Sequence, residues 1–259
     1  MSGGGVKRWT AILAPTLFVA LLLGLWEGLC RALAVPTYFL PTPSEIAAAL
    51  VQNGPLLFLS AWRTLQTALT AFVVVSVLGG VAALAAASGR IVEDSLRPIA
   101  VILQVTPIIA LAPLFQIWAG IDHPERAVIS LACVAAFFPI YSGVLAGLGS
   151  ADTALERLFD LYGASGWQKL LRLRVPSALP QALEGLKVGL GLALVGAVIG
   201  EISASAGGEE GLAWRILEAA HRLETARSFA ALAALAMIAG VLHLVFRLIE
   251  KRTLDWWRG

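Results

Sequence analysis

Long apolar runs, separated by short charged segments, make up most of this 259-residue sequence. A helix needs about 20 mostly apolar residues to cross a lipid bilayer. Six runs reach or approach this length, and they predict membrane spans at residues 9–29, 67–87, 98–120, 127–148, 186–202 and 229–248. The pattern therefore predicts an all-α polytopic membrane protein in which residues 1–259 form a single transmembrane domain.

The first run has two features of a secretory signal peptide. Lys7 and Arg8 precede it, and the small residues Ala32 and Ala34 after it resemble a cleavage site. Its apolar stretch is longer than the roughly 7–15 residues that are typical of a signal core. We therefore predict that this run is retained as a membrane anchor.

The composition favours a membrane protein and argues against several other classes. Hydrophobic residues make up 58% of the chain and charged residues 14%, compared with about 25% charged residues in typical soluble domains. The net charge of +2 is too small to indicate a nucleic-acid partner. Cys30 and Cys133 lie far apart in apolar runs, so we interpret them as small buried hydrophobic residues and expect neither a disulfide nor a metal site.

Motifs for catalysis or nucleotide binding are absent from the sequence. It contains neither a phosphate-binding loop of the GxxxxGKS/T type nor the HExxH pattern of zinc hydrolases. We therefore predict that the chain is not itself an enzyme and holds no cofactor. Transport energy would then come from an ion gradient or from a partner protein.

The distribution of lysine and arginine predicts the orientation, because cytoplasmic loops of membrane proteins carry an excess of these residues. With both termini in the cytoplasm, most of the positive charge lies on the cytoplasmic side. The residues left outside are Arg31, Arg63, Arg126, Arg215, Arg222 and Arg227. We therefore predict two cytoplasmic termini and a large cytoplasmic loop at residues 150–185.

A short helix on the outer side is predicted by the stretch LPTPSEIAAAL. Thr42 is placed to cap the helix, Pro43 takes the first helical position and Glu45 completes a capping box. The apolar residues that follow share one face, so we expect a structural role for this helix.

Prolines and polar residues interrupt the third apolar run. Pro107 and Pro113 each remove a backbone hydrogen bond, and within a membrane the freed carbonyl needs a partner from protein or cavity water. One interpretation is a kinked helix whose side-chain amides bond neighbouring helices. Two kinks together with three polar side chains favour the wall of a solute pathway. We therefore predict pathway roles for Gln104, Thr106, Pro107 and Gln116.

The fifth run contains two pairs of glycines spaced four residues apart, Gly185/Gly189 and Gly196/Gly200. Such spacing lets two helix backbones approach closely. Two interpretations explain this pattern equally well. One is tight packing within the subunit, and the other is a subunit seam or a pathway lining. Glu201 ends this run, and a carboxylate at that depth is costly unless it is paired or wetted. It either reaches the membrane interface or lines an outer vestibule, and we include it among the candidate pathway residues.

A basic hairpin of two short helices is predicted between the fourth and fifth spans. Residues 153–162 form the first helix, Gly163 breaks it, and Ser165 caps a second helix that continues through Arg174. An apolar stripe beside basic residues suits either a groove on a soluble partner or the membrane surface. The stripe consists of Leu155, Leu158, Phe159 and Tyr162.

The hairpin resembles the EAA loop, the cytoplasmic signature of permease subunits of binding-protein-dependent ABC importers. In that signature nine residues separate a glycine from Ile-x-Leu-Pro, and here nine residues separate Gly163 from the stretch LRVP that ends at Pro176. The stretches FLPTPSEIAAAL, TPIIALAPLFQIWAGI, GLKVGLGLALVGAVIGE and GLAWRILEAA also look like this family. The resemblance extends from about Pro36 to Trp256 and is closest to the branch for nitrate, sulfonates, taurine and pyrimidine-type vitamin precursors.

The resemblance implies a type I importer fold with six spans and a coupling-helix hairpin, in the bacterial inner membrane. It implies a second permease copy in a homodimer, surrounding lipid, an external solute-binding protein, and two cytoplasmic ATPases that bind ATP and magnesium. No nucleic acid is expected as a partner. A gradient-driven secondary transporter is the alternative, but it would need carboxylates within the spans, and the middle of each predicted span lacks them.

The resemblance also assigns ATPase coupling to a set of hairpin residues. They are Leu158, Phe159, Tyr162, Gly163, Ala164, Ser165, Trp167, Lys169 and Pro176. The family's Glu-Ala-Ala would fall at residues 157–159, where this chain has Arg, Leu and Phe, and Glu156 lies one position early. The glycine half of the signature is present and the acidic half is absent, so the acidic contact is not carried over.

Overall fold

The structure, a computed structural model, describes residues 3–120, 122–203 and 211–258. Over these ranges it consists of helices without strands. In chain order they are α1 (Gly3–Ala32), α2 (Pro43–Gln52), α3 (Gly54–Ala87), α4 (Arg90–Val105), α5 (Ile108–Ala119), α6 (Pro124–Leu148), α7 (Thr153–Leu161), α8 (Gly166–Lys169), α9 (Val175–Ser203), α10 (Leu212–His221) and α11 (Thr225–Arg258). A π-helical turn, Leu170–Arg174, joins α8 to α9.

Five helical segments are long and apolar enough to cross a membrane. They are Leu13–Ala32, Gly54–Ala87, Pro124–Leu148, Gly166–Ser203 and Thr225–Asp255. Helices α4 and α5 reach this length and apolarity only as a pair, which gives a sixth span if the pair is counted as one. A helix satisfies its backbone hydrogen bonds internally, as the bilayer core requires. The predicted class, an all-α polytopic membrane protein, is confirmed.

The third predicted span, which we expected to be one kinked helix, is broken in the structure. Helices α4 and α5 are bent by 101° relative to each other. The break falls at Thr106 and Pro107, whose backbones are both extended. A proline disfavours helical conformation at the preceding residue and lacks an amide donor, so it ends α4 here. Pro113 lies inside α5 and does not break it.

Glycines bring α6 and α9 into close contact. A Cβ atom on Gly185 would lie 2.6 Å from the Pro139 carbonyl oxygen, and one on Gly196 would lie 2.5 Å from the Ala132 Cα atom. Only glycine allows such an approach of two backbones. The structure therefore supports packing within the subunit, one of the two interpretations left open by the sequence. The other two glycines also meet α6: Gly189 faces Ile140 and Gly200 faces Val128.

The second arm of the hairpin continues directly into a membrane helix. The sequence predicted a separate span at 186–202, but the helix runs without interruption from Gly166 to Ser203. In the π-helical turn the Val175 amide donates to the Leu170 carbonyl, five residues earlier. This wider turn comes immediately before Pro176, where the proline ring would crowd the carbonyl of the preceding turn. The hairpin is thus connected to the membrane core by helix and not by a loop.

The short helix α2 begins with the predicted capping box. The Glu45 amide donates to the Thr42 hydroxyl at 3.3 Å, and the Thr42 amide donates to the Glu45 carboxylate at 2.8 Å. The end of α1 packs against this helix. The Glu27 carboxylate accepts hydrogen bonds from the amide of Ser44 at 3.0 Å and from its hydroxyl at 2.8 Å. Helix α2 therefore fixes where α1 leaves the membrane domain.

Candidate coupling hairpin and solute pathway

Both arms of the hairpin begin at a side-chain cap. The Asp152 carboxylate accepts the Ala154 amide at 2.7 Å at the start of α7. Gly163 has φ +69°, a left-handed conformation that glycine adopts without steric cost. The Gln168 amide donates to the Ser165 hydroxyl at 3.3 Å, and the Ser165 amide donates to the Gln168 side chain at 2.8 Å. Local hydrogen bonds and one glycine therefore set the angle between the arms.

Two ion pairs connect the arms. Arg174 Nε donates to Glu156 Oε1 at 2.8 Å, and Lys169 pairs with Asp160. Exposed pairs of this kind individually contribute about 0–1 kcal/mol, so we assign them a role in geometry more than in stability. Lys169, a predicted coupling residue, is engaged inside the hairpin. Glu156, the acid that lies one position early, is engaged there as well.

The tip of the hairpin exposes large apolar side chains. Leu161 is 85% exposed, Tyr162 is 83% exposed and Trp167 is 67% exposed. Contiguous apolar exposure outside the membrane-spanning helices marks a surface that contacts either another protein or the membrane. Leu161 was not predicted as a coupling residue because it lies off the apolar stripe of α7. A groove of about 270 Å³ beside the tip is lined by Leu158, Phe159, Tyr162, Ala164, Gln168 and Arg172.

Pro176 lies at the base of the hairpin, away from the tip. Its carbonyl accepts a hydrogen bond from Trp257 Nε1 at 2.9 Å, which ties the end of α11 to the start of α9. Lys187 joins the same two helices through Glu250 at 3.2 Å. Sequence reasoning missed Trp257 because its partner lies 81 residues away in the chain. The other eight predicted coupling residues lie on α7, on the turn and on α8.

Three of the predicted pathway residues cluster where α4 meets α5. Gln104 and Pro107 are exposed, and the hydroxyl of the half-buried Thr106 donates to the carbonyl one turn earlier at 2.6 Å. Gln116 lies at the other end of α5. Its side-chain amide donates to the Ser203 carbonyl at 2.5 Å, which joins α5 to the end of α9. Gln116 thus makes the interhelical bond that the kinked-helix interpretation expected.

Glu201 is 1% exposed and does not face an open vestibule. Its carboxylate accepts the Ala213 amide at 3.0 Å, and the Thr64 hydroxyl accepts the Leu212 amide at 2.9 Å. These amides belong to the first turn of α10, whose N-cap, Gly211, has no side chain to satisfy them. The structure therefore corrects the predicted position of Glu201: it caps α10 from the end of α9.

A second group of polar contacts holds α10 against the beginning of α3. Arg215, 7% exposed, donates through Nε to the Ser60 hydroxyl at 3.2 Å and through a terminal nitrogen to Glu218 at 2.9 Å. The hydrogen bond from Arg215, helped by the charges of Arg222 and Arg227, holds the pKa of Glu218 below its ordinary value of 4.5. Glu218 therefore stays ionised and bonded at neutral pH.

Long apolar helices, with an exposed amphipathic hairpin between two of them, define the class of this chain as an integral membrane protein. The family model described as "Binding-protein-dependent transport system inner membrane component" matches residues 76–255. This match covers more than half of the chain, and the chain belongs to that family. The fold is accordingly that of a type I ABC permease.

Named relatives are similar over almost the whole chain. The formylaminopyrimidine transport permease protein ThiX of Halalkalibacterium halodurans is 31% identical over 97% of this chain and 98% of its own. The taurine transport system permease protein TauC of Escherichia coli is 31% identical over 96% and 92%. The riboflavin transport system permease protein RibX of Chloroflexus aurantiacus is 30% identical over 96% and 91%. The chain is a permease subunit of an ABC importer, and its predicted similarity to the taurine and pyrimidine branch is confirmed.

Proposed function

We propose that this permease is driven by cytoplasmic ATPases that dock on the hairpin formed by α7 and α8. The observation that carries the proposal is the uninterrupted helix from Gly166 to Ser203. A displacement of the hairpin tip is transmitted along this helix into the membrane core, because no loop intervenes to absorb it. The pairs Glu156–Arg174 and Asp160–Lys169 support the same role by holding the first arm against the second.

The exposed tip supplies the docking surface in this proposal. Leu158, Phe159, Tyr162 and Trp167 provide the apolar contact, while Gly163, Ala164 and Ser165 shape the turn that presents it. Arg157 and Arg172 are exposed on the same two arms, so the complementary groove on the ATPase is apolar with an acidic rim. Because Glu156 bonds Arg174, the acidic contact of the family signature is absent from this surface.

The proposed complex contains two copies of this permease, two ATPase subunits and an external solute-binding protein. ATP and magnesium bind to the ATPases, and hydrolysis occurs there. Both termini of the permease lie in the cytoplasm, its spans are surrounded by inner-membrane lipid, and it contacts no nucleic acid. Family membership supports this arrangement over a gradient-driven transporter.

The proposed solute is small and polar: nitrate, a sulfonate such as taurine, or a pyrimidine-type vitamin precursor. The names of ThiX and TauC support the pyrimidine-type and the sulfonate members of this range. We place the pathway wall at the break between α4 and α5, where Gln104, Thr106 and Pro107 lie together. Gln116 belongs to the same helix pair and supports the wall through α9, and Glu201 fixes the outer end of α9 against α10.

The test of the docking proposal is Gly163→Val, measured in proteoliposomes that contain the ATPases and the solute-binding protein. A β-branched side chain at positive φ is strained by roughly 1–2 kcal/mol, so the two arms should change their angle without disturbing the membrane core. We expect normal insertion and dimerisation. Solute-stimulated ATP hydrolysis and uptake should both be lost.

The matched control is Gly149→Val, at the beginning of the same loop. Gly149 has φ −85°, and a Cβ atom there would lie at an ordinary 3.6 Å from the nearest atom, so coupling should be retained. Wild-type coupling by Gly163→Val would show that the hairpin is only a membrane-surface element. Uptake that follows a proton or sodium gradient without ATP would contradict the ATPase-driven mechanism itself.

A further inference from the structure

A proline lies inside the helix that connects the hairpin to the membrane core. The helical segment from Gly166 to Ser203 continues through Pro180 without interruption. Pro180 has no amide hydrogen, and a proline ring crowds the carbonyl of the residue four positions earlier, which here is Pro176. The helical hydrogen bond between residues 176 and 180 is therefore missing. Helices bend sharply mostly at such prolines, so α9 is weakest at the base of the hairpin.

Trp257, near the end of α11, donates to the carbonyl that this proline frees. Its Nε1 lies 2.9 Å from the Pro176 carbonyl oxygen, and the two residues are 81 positions apart in the chain. The indole nitrogen can only donate a hydrogen bond. In membrane proteins, neighbouring helices satisfy backbone groups that a proline frees. Trp257 thus supplies from another helix the bond that Pro180 removes from α9.

Helix α11 is also attached to α9 on the other side of Pro180. Phe246 and Leu254 pack in an apolar cluster with Leu183, and Glu250 accepts a hydrogen bond from Lys187 at 3.2 Å. The three residues of α11 are spaced four apart and share one face of the helix. These contacts lie beyond Pro180, towards the membrane core, whereas the indole reaches the carbonyl on the hairpin side. The end of α11 therefore connects the two sides of the proline.

Helix α6 is a second neighbour of this part of α9. A Cβ atom on Gly147 would lie 2.7 Å from the Ala178 carbonyl oxygen, so the two backbones are in contact. The Ser150 hydroxyl donates to the Ser177 carbonyl at 3.3 Å. Neither contact reaches the carbonyl of residue 176. If α6 alone kept α9 straight, removing the indole donor would not change the mobility of this segment, and that difference is measurable.

We propose that Trp257 is a positioning residue for coupling. By bonding the Pro176 carbonyl it stiffens α9 across Pro180, so that the hairpin, the membrane part of α9 and the end of α11 move together. Without this bond, a displacement of the hairpin would bend α9 at the proline before it reached the membrane core. The consequence for transport rests on the proposed docking of ATPases on the hairpin, whereas the stiffening is a property of the permease alone.

The first test follows amide hydrogen exchange by mass spectrometry in the purified permease, in nanodiscs and without ATPases. Trp257→Phe keeps an aromatic ring and removes the donor. We expect exchange over residues 170–185 to accelerate roughly three- to tenfold, as for the loss of one hydrogen bond. Exchange in α6 should stay unchanged, which separates a local effect from general destabilisation. Pro180→Ala restores an amide donor within α9, so the double variant should return to the wild-type rate.

The matched control for this test is Arg252→Gln, which changes an exposed residue on the same end of α11 and should leave exchange unchanged. Unchanged exchange in Trp257→Phe would overturn the proposal, because α6 would then be sufficient. Faster exchange that Pro180→Ala does not reverse would also overturn it, because the effect would not come from the freed carbonyl.

The second test measures the solute taken up per ATP hydrolysed by the reconstituted complex. We expect Trp257→Phe to lower this ratio several-fold and Pro180→Ala to restore it in the double variant. A bond with only a structural role would change the Tm and leave the ratio unchanged. A wild-type ratio in Trp257→Phe, in a complex that Gly163→Val inactivates, would overturn the positioning role. If Gly163→Val also couples normally, the docking proposal fails and the positioning role fails with it, while the exchange data still decide whether Trp257 stiffens α9.

Discussion

Gly211 and Glu201 illustrate how the environment decides what a single residue does. A glycine at an N-cap offers no side-chain acceptor, and the first turn of α10 would be left unsatisfied. The Glu201 carboxylate occupies the space beside Gly211 where a side chain would stand, and it accepts the Ala213 amide at 3.0 Å. A buried carboxylate is costly alone but favourable at a helix N-terminus. The two residues therefore depend on each other.

We predict that Gly211→Ala destabilises the permease, because the added Cβ would overlap the Glu201 carboxyl group. Displacing that group leaves a buried charge and a free amide, and we expect a loss of about 1–3 kcal/mol. The measurement is the Tm of the purified protein in detergent. The matched control is Gly240→Ala, a helical glycine with nothing within 4 Å of a Cβ. If both variants melt at the wild-type temperature, α10 does not depend on this cap.

The helix pair α4–α5 shows which features the local sequence predicts, the position of a break, and which it does not, the angle between the two halves. Pro107 predicts an interruption, but the 101° bend depends on what the two halves pack against. The exposed Gln104 and the half-buried Thr106 follow from where this break is placed. Gln116, at the far end of α5, is fixed to Ser203 and cannot turn freely towards a pathway.

We predict that Gln104→Leu and Thr106→Leu lower solute uptake and leave assembly of the complex intact. Each replaces a polar group at the break by an apolar one of similar or larger size, which removes a hydrogen-bonding site for a passing polar solute. Uptake in proteoliposomes and the yield of assembled complex are the two measurements. Gln181→Leu, on an exposed position of α9, is the control. Normal transport by both variants would place the pathway on another helix.

The sequence predicted a hydrogen bond or a turn correctly where the residues involved are close together in the chain. The capping box of Thr42 and Glu45, the turn at Gly163 and the cap at Ser165 were all predicted correctly, since each involves residues within a few positions. Long-range contacts left no such signal. The sequence left Glu201 open between the membrane interface and an outer vestibule, and its partner amide belongs to another helix. The bond of Trp257 to Pro176 spans 81 residues.

For the whole molecule, the two ends of the membrane domain differ in what they expose. One end carries the hairpin and the end of α11. The other carries α2, which begins with a capping box, and α10, which is held by Glu201 and by the bond of Arg215 to Ser60. The first end also carries most of the lysines and arginines, from which we predict that it lies in the cytoplasm. The packing of the helices does not depend on which end faces the cytoplasm, so the orientation needs a direct test.

We predict that a cysteine replacing Ser150, before α7, is shielded from a membrane-impermeant thiol reagent in intact cells. A cysteine replacing His221, at the end of α10, should react. Both positions are exposed, so a difference in labelling reports the side of the membrane and not burial. Cys30 and Cys133 are replaced by alanine beforehand, and permeabilised cells, in which both sites must react, serve as the control. Labelling of Ser150→Cys but not His221→Cys in intact cells would invert the orientation and put the hairpin out of reach of any cytoplasmic ATPase.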